Sequence, residues 1–214
     1  MTSTTNNQPP APQSKPNESG AVSIQGHIKI FDPITKEVLI DKRNAIHYEN
    51  FSIALAQSIS NNEGTIGEMV FGNGGSRVDP TGIITYLTPN NVGSNAALYN
   101  QTYYKTVDAK RSYSLDPARN FMETRHIVGT AYSDVLVSCL LDFGEPSGQL
   151  AFDNSSNQDG TYVFDELGLK SYSSAGPNEG MLLTHVIFHP VQKSLNRMIQ
   201  IDYTIRIQSI SGGI

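Results

Sequence analysis

Ile199-Gln-Ile-Asp-Tyr-Thr-Ile-Arg-Ile-Gln208 alternates without a break. Ile199, Ile201, Tyr203, Ile205 and Ile207 point one way, and Gln200, Asp202, Thr204, Arg206 and Gln208 the other. A period of two is the signature of a strand with one buried face. Working back from it, Met181 to Val191 and Val163 to Lys170 read as strands around the turn Ala175-Gly-Pro-Asn-Glu-Gly180. Val135 to Phe143, Met122 to Val128 and Ile66 to Phe71 read the same way. Nearer the start, Val22, Ile24, Ile28 and Ile30 lie on alternate positions, the turn at Asp32-Pro33 and Thr35-Lys36 follows, and Glu37 to Ile40 returns as a hairpin partner. One segment has a helical period instead. Tyr48, Phe51, Leu55 and Ile59 form a stripe, stopped by Asn61-Asn62 and Gly64. The expected fold is mainly β, an antiparallel β-sandwich or barrel-like domain with one amphipathic helix.

Residues 1–20 stand apart from this domain, which occupies residues 21–214. Four of the eleven prolines, Pro9, Pro10, Pro12 and Pro16, lie in this polar stretch, so it reads as an extended N-terminal arm, disordered in isolation. At ~3.1–3.3 Å per residue its reach is roughly 60 Å. Inside the domain, residues 73–120 and 144–161 read as long polar loops, and long excursions in compact domains tend to be functional or interface-forming.

Composition narrows the function classes. The 214 residues carry a net charge of -5, which argues against nucleic acid as a partner, since phosphate neutralisation needs a clustered basic face. A single cysteine excludes a disulfide framework. Residues 1–20 lack the basic and apolar regions of a signal peptide, and no apolar run approaches the ~20 residues of a membrane span, so the expected product is soluble and made in a reducing compartment. Charged residues make up only 16% of the chain, against roughly 25% in ordinary soluble domains. Loops poor in Lys and Glu but rich in Asn, Gly and Tyr suit surfaces buried against other subunits.

No reaction chemistry emerges from the residues. His185 and His189 have the i, i+4 spacing of a helical zinc pair, yet on a strand that spacing spans ~13 Å, too far for one ion. Cys139 sits inside Val-Leu-Val-Ser-Cys-Leu-Leu-Asp-Phe143 and reads as a small core residue. Gly72-Asn-Gly-Gly75 lacks the spacing of a phosphate loop. The loop Asp153 to Gly160 is oxygen-rich, but Gln158 and Phe164 stand where a calcium loop needs Gly and Glu. The expectation is a non-enzyme with no catalytic residue, metal or cofactor.

Two stretches taken together resemble a known family. The first is Phe51 to Ile59 followed by Ile66-Gly-Glu-Met-Val-Phe-Gly-Asn-Gly-Gly75 and Val78-Asp79-Pro80; the second is Tyr162-Val-Phe-Asp-Glu-Leu-Gly-Leu-Lys170 followed by Leu182 to Phe188. In this order they resemble the N-terminal attachment domain of tailed-bacteriophage tail-collar fibre proteins, with Asp165 to Leu169 carrying most of the likeness. The chain ends at Ile214 without a fibre shaft, so the resemblance implies a neck, collar or fibre-adaptor subunit. What it implies is a virion protein that binds other subunits without catalysis, forming a homo-oligomeric ring beside portal or connector, tail or fibre proteins. Other expectations stay open: a capsid decoration or baseplate protein, or a carbohydrate-binding β-sandwich that recognises a host surface. The candidate assembly residues are Pro9, Pro10, Pro12, Pro16, Gly72, Asn73, Gly74, Gly75, Tyr103 and Tyr104.

Overall fold

The computed structural model describes residues 20–60, 63–151, 157–158 and 161–211. In chain order the elements are β1 (Gly20–Phe31), β2 (Val38–Ile46), α1 (Tyr48–Ser60), β3 (Ile66–Gly72), β4 (Ser76–Val78), β5 (Ile84–Tyr86) and β6 (Gln101–Thr106). Then come β7 (Phe121–His126), β8 (Tyr132–Leu141), β9 (Asn157–Gln158), β10 (Thr161–Ser171), β11 (Leu182–Ser194) and β12 (Ile199–Ser211). Ten strands form one antiparallel sheet in the order β6-β3-β10-β11-β2-β1-β12-β8-β7, with β9 on β10, while β4 and β5 make a separate hairpin. The sheet curls into a half-barrel rather than dividing into the two layers of a sandwich.

β12 lies deep in this order because its alternation suits a strand flanked on both sides. It pairs with β1 from Gly20↔Ser211 to Phe31↔Gln200 and with β8 from Ile199↔Leu141 to Gln208↔Tyr132. Ile199, Ile201, Tyr203 and Ile205 are buried in the concave core with Ile28, Ile30, Val137 and Cys139. The outward residues pair with one another across strands. Arg206 makes a bidentate contact to Asp134, both distances 2.8 Å, and its guanidinium lies over the Tyr132 ring. The core's other half is aromatic. Phe164 stacks on Tyr162 and meets Phe71 and Phe188 edge-on, with ring centroids 5.5 to 5.8 Å apart. Such contacts add specificity to what is mainly burial of apolar area.

Several elements differ from the expectations, each for a local reason. β2 runs on to Ile46, because it pairs with β1 from Val38 to Asn44 and its last two residues, Ala45 and Ile46, pair with β11. The stretch 73–120 is less of a loop than its composition suggests, since β4, β5 and β6 all fall inside it. β7 stops at His126, leaving Ile127 and Val128 exposed in the turn to β8. The helix is rotated from its apparent stripe. Asn50, Phe51 and Ala54 are buried, whereas Tyr48 and Ile59 are exposed. The Asn50 amide donates to the Leu182 carbonyl at 2.8 Å, and that bond turns its face inward. Residues 1–19 of the arm, Asn61-Asn62 and most of the loop from Asp153 to Gly160 lie outside the described residues.

The entry to β7 is held by one side chain. Asn120 is fully buried; its Nδ2 donates to the carbonyls of Leu115 and Asp116 at 3.0 and 3.1 Å, and its Oδ1 accepts the Leu140 N–H at 2.9 Å. Asn120→Ala leaves that N–H unpaired in the interior. The expected cost is about 2 kcal/mol, read as a lower urea midpoint at unchanged slope.

Candidate functional site

The Gly72-Asn-Gly-Gly75 turn presents a run of backbone N–H groups, an arrangement that suits an anion. The chain fills it with its own carboxylates. Gly75 and Ser76 donate to the two oxygens of Asp165 at 2.9 and 2.8 Å, and the Ser76 hydroxyl bonds the same carboxylate. Glu166 accepts from the backbone N–H of Gly74 at 3.1 Å, Tyr99 at 2.9 Å and Asn100 at 2.7 Å. Neighbouring strand residues normally point to opposite faces, but the β10–β11 register shifts between Phe164 and Glu166. That irregularity lets both side chains reach one turn. The turn itself requires glycine: a Cβ on Gly72 would come within 2.5 Å of the Asn100 carbonyl oxygen, and one on Gly74 within 2.8 Å of the Asn100 nitrogen.

The two carboxylates respond differently to burial. For Glu166, desolvation opposes ionisation, but the hydrogen bonds from His185, Asn100, Tyr99 and Gly74 outweigh it and hold the carboxyl below its ordinary range. For Asp165 desolvation prevails over its bonds to Ser76 and Gly75, and the carboxyl is raised. His185 completes the cluster. Its Nε2 lies 3.0 Å from Glu166 Oε2, and its Nδ1 accepts the Asn90 N–H at 2.8 Å. Accepting at Nδ1 assigns the proton to Nε2, the neutral tautomer that donates to Glu166. A carboxylate–imidazole pair usually suggests a catalytic base. Here the nitrogen that would act is already taken by a backbone N–H, so the pair clamps the 73–100 segment onto the convex face of β3, β10 and β11. Beneath this segment lies a second small core of Val70, Leu98 and Leu182.

The other sequence candidates separate. His189 is exposed, with its Nδ1 3.2 Å from the Tyr86 hydroxyl, so the two histidines on β11 have different partners. Burial pushes the Cys139 thiol up to about 12, which keeps it protonated at neutral pH. Tyr103 is buried in the chain's own core and Tyr104 is half-buried beside the smaller one. Asn73 Oδ1 accepts from Asn100 Nδ2 at 2.6 Å, so the glycine turn is engaged internally. The four arm prolines lie outside the described residues. No family model, curated protein or solved structure matches this chain. Among the described residues, no three His, Cys, Asp or Glu side chains are grouped to hold a metal ion, and no helix is long and apolar enough to cross a membrane.

The half-barrel leaves a cavity of about 530 Å³ where the β3 side of the sheet approaches the β7 side. Phe51 and Leu55 of α1, Ile66, Met122, Val135 and Ile207 form apolar walls, and Asp108, Lys110 and Arg111 form a polar rim. Neither histidine nor cysteine lines it. Its chemistry suits binding an apolar group.

A further buried acid, Glu68, escaped the sequence reading. It faces Thr106 and Lys170 across β3's two neighbours, is 1% exposed, and neither carboxylate oxygen has a hydrogen-bond partner. The adjacent cations are engaged elsewhere. Lys170 bonds the carbonyl and side chain of Asn178, while Arg111 pairs with Asp108 and lies over the Tyr172 ring. Desolvation therefore raises the Glu68 carboxyl to about 7, against weaker lowering by Lys170 and Arg111.

Proposed function

We propose that this chain is a structural subunit of a tailed-bacteriophage virion, in the neck, collar or tail-fibre attachment region, acting by binding other subunits. One observation carries the reading. The two stretches that resemble the attachment domain are about 90 residues apart, yet they fold together as one unit, with Asp165 and Glu166 bonded to the Gly74–Ser76 backbone. The two fragments that carry the resemblance thereby lie in one structural element of this chain. The proline-rich arm before β1 and the low charge content add support, since both suit a subunit that lies against neighbours. Portal or connector, tail and fibre proteins are the proposed partners.

The test is to locate the protein on particles. Gold-labelled antibody against the folded domain is expected to mark the neck or tail of tailed particles released from cells carrying the gene. Label confined to the capsid shell or the baseplate would favour a decoration or baseplate role. Purified particles free of the protein would overturn the virion reading.

A further inference from the structure

β7 ends the sheet, and among the described residues its backbone bonds only to β8. The other end of the sheet is covered. Leu150 N–H donates to the Thr102 carbonyl at 3.1 Å, and the Gln149 side chain bonds the Tyr104 N–H and carbonyl at 2.9 and 3.1 Å, so residues 149 and 150 occupy the edge of β6. Among the described residues β7 has no such cover. It contains no proline, pairs with β8 without a register shift, and exposes Glu123, Thr124, Arg125 and His126. Open edges of this kind pair with other chains unless something blocks them.

Charge is the usual block, and on β7 its arrangement selects a partner instead. We infer that β7 is a self-pairing edge: two copies join antiparallel along it, about a two-fold axis through Thr124. In that register Glu123 of each copy stands opposite Arg125 of the other, and Thr124 meets Thr124. Directly opposed residues of opposite charge attract, and like charges repel. Shifting the pairing by two residues in all, the smallest step that keeps the faces matched, sets either Glu123 on Glu123 or Arg125 on Arg125. Within one chain Glu123 and Arg125 already form an ion pair, two residues apart on one face. Self-pairing exchanges the one such contact in each copy for two equivalent ones across the axis. The joined sheets also continue the concave face, where Met122 and Thr124 line the cavity. The contact is isologous, so it closes as a dimer; growth into a ring needs a second, different surface.

A charge exchange tests this with the full-length chain. By sedimentation velocity the wild type is expected to dimerise, while Glu123→Arg and Arg125→Glu alone each weaken self-association by roughly tenfold or more. Mixed in equal amounts, the two variants place an edge with two arginines against an edge with two glutamates. Both facing pairs are then again of opposite charge, so a heterodimer is expected to form. Its recovery also shows that both variants are folded. A monomeric wild type, or single variants that dimerise as well as wild type, would overturn the inference. Neither result bears on whether the protein is found in virions.

Discussion

Glu166→Ala is expected to remove a large share of the stability of the fold. The carboxylate is fully buried and accepts four hydrogen bonds, three from backbone N–H groups and one from His185. Bonds to a charged acceptor are each worth about 1.5–3 kcal/mol and are not additive, and their loss here strands donors in an interior that water does not reach. A cost of about 4–6 kcal/mol is expected, a large share of the 5–15 kcal/mol typical of a whole domain. Glu166→Gln should be nearly as harmful, because its amide turns two donors toward a cluster of donors. Asp165→Asn should cost less, since burial already works against the charged form of that carboxyl. Urea unfolding followed by far-ultraviolet circular dichroism measures all three. Hydrogen exchange supplies the local check: amides of Gly74, Tyr99 and Asn100 should lose protection in Glu166→Gln before the strands do. A Glu166→Ala protein within 1 kcal/mol of wild type would show that the carboxylate does not hold the 73–100 segment.

That carboxylate also marks where the sequence stops being readable. β12 was legible because burial on one face writes a period of two into the residues themselves, and Ile199 to Ile207 follow it without exception. The glycine turn and the Asp-Glu pair were each visible as local patterns. Their meeting was not, because it depends on β10 pairing with β3 across 90 or more residues and on a register shift that no spacing announces. α1 shows a different limit. Hydropathy assigns Asn50 to solvent, yet a single hydrogen bond to Leu182 pulls it inside and turns the stripe, leaving Ile59 exposed. Tyr103 was hidden by the shortness of its apolar run, although the register Phe71↔Tyr103 places it squarely in the core.

Edges pose the converse problem. The exposed end of β7 looks like any polar strand end in the sequence, and only the sheet order shows that no described strand follows it. Once that order is known, the spacing of Glu123 and Arg125 becomes informative. A two-residue separation of opposite charges is self-complementary only for an antiparallel strand with one unpaired side. The segments at 73–100 and 149–150 then acquire a common role: they cover the convex face and the β6 edge, and among the described residues they leave the β7 edge open.

Glu68 leads to the last expected result, a stability that falls as pH rises. Its position in Ile66-Gly-Glu-Met-Val-Phe71 suggests an outward, solvated carboxylate, but segments whose course has no periodicity bury it. In the folded chain its carboxyl is raised from 4.5 to about 7, with desolvation the largest cause. The folded state therefore keeps a proton that the unfolded chain gives up. The group's contribution is fully present below pH 4.5 and is lost as pH rises through about 7, where the accumulated cost reaches about 3 kcal/mol. Glu68→Gln removes this titration. It should flatten the difference between pH 4.5 and 7 and stabilise the protein above pH 7 by about 1–3 kcal/mol, the lower end applying if the amide also lacks partners. Urea midpoints for both proteins at half-unit steps from pH 4.5 to 8 give the answer, because the contributions of the groups common to both proteins cancel in the difference. Parallel curves would show that Glu68 stays ionised in the folded chain and that Lys170 or Arg111 compensates its burial. A gap that opens toward alkaline pH would identify Glu68 as a buried acid held protonated by its surroundings.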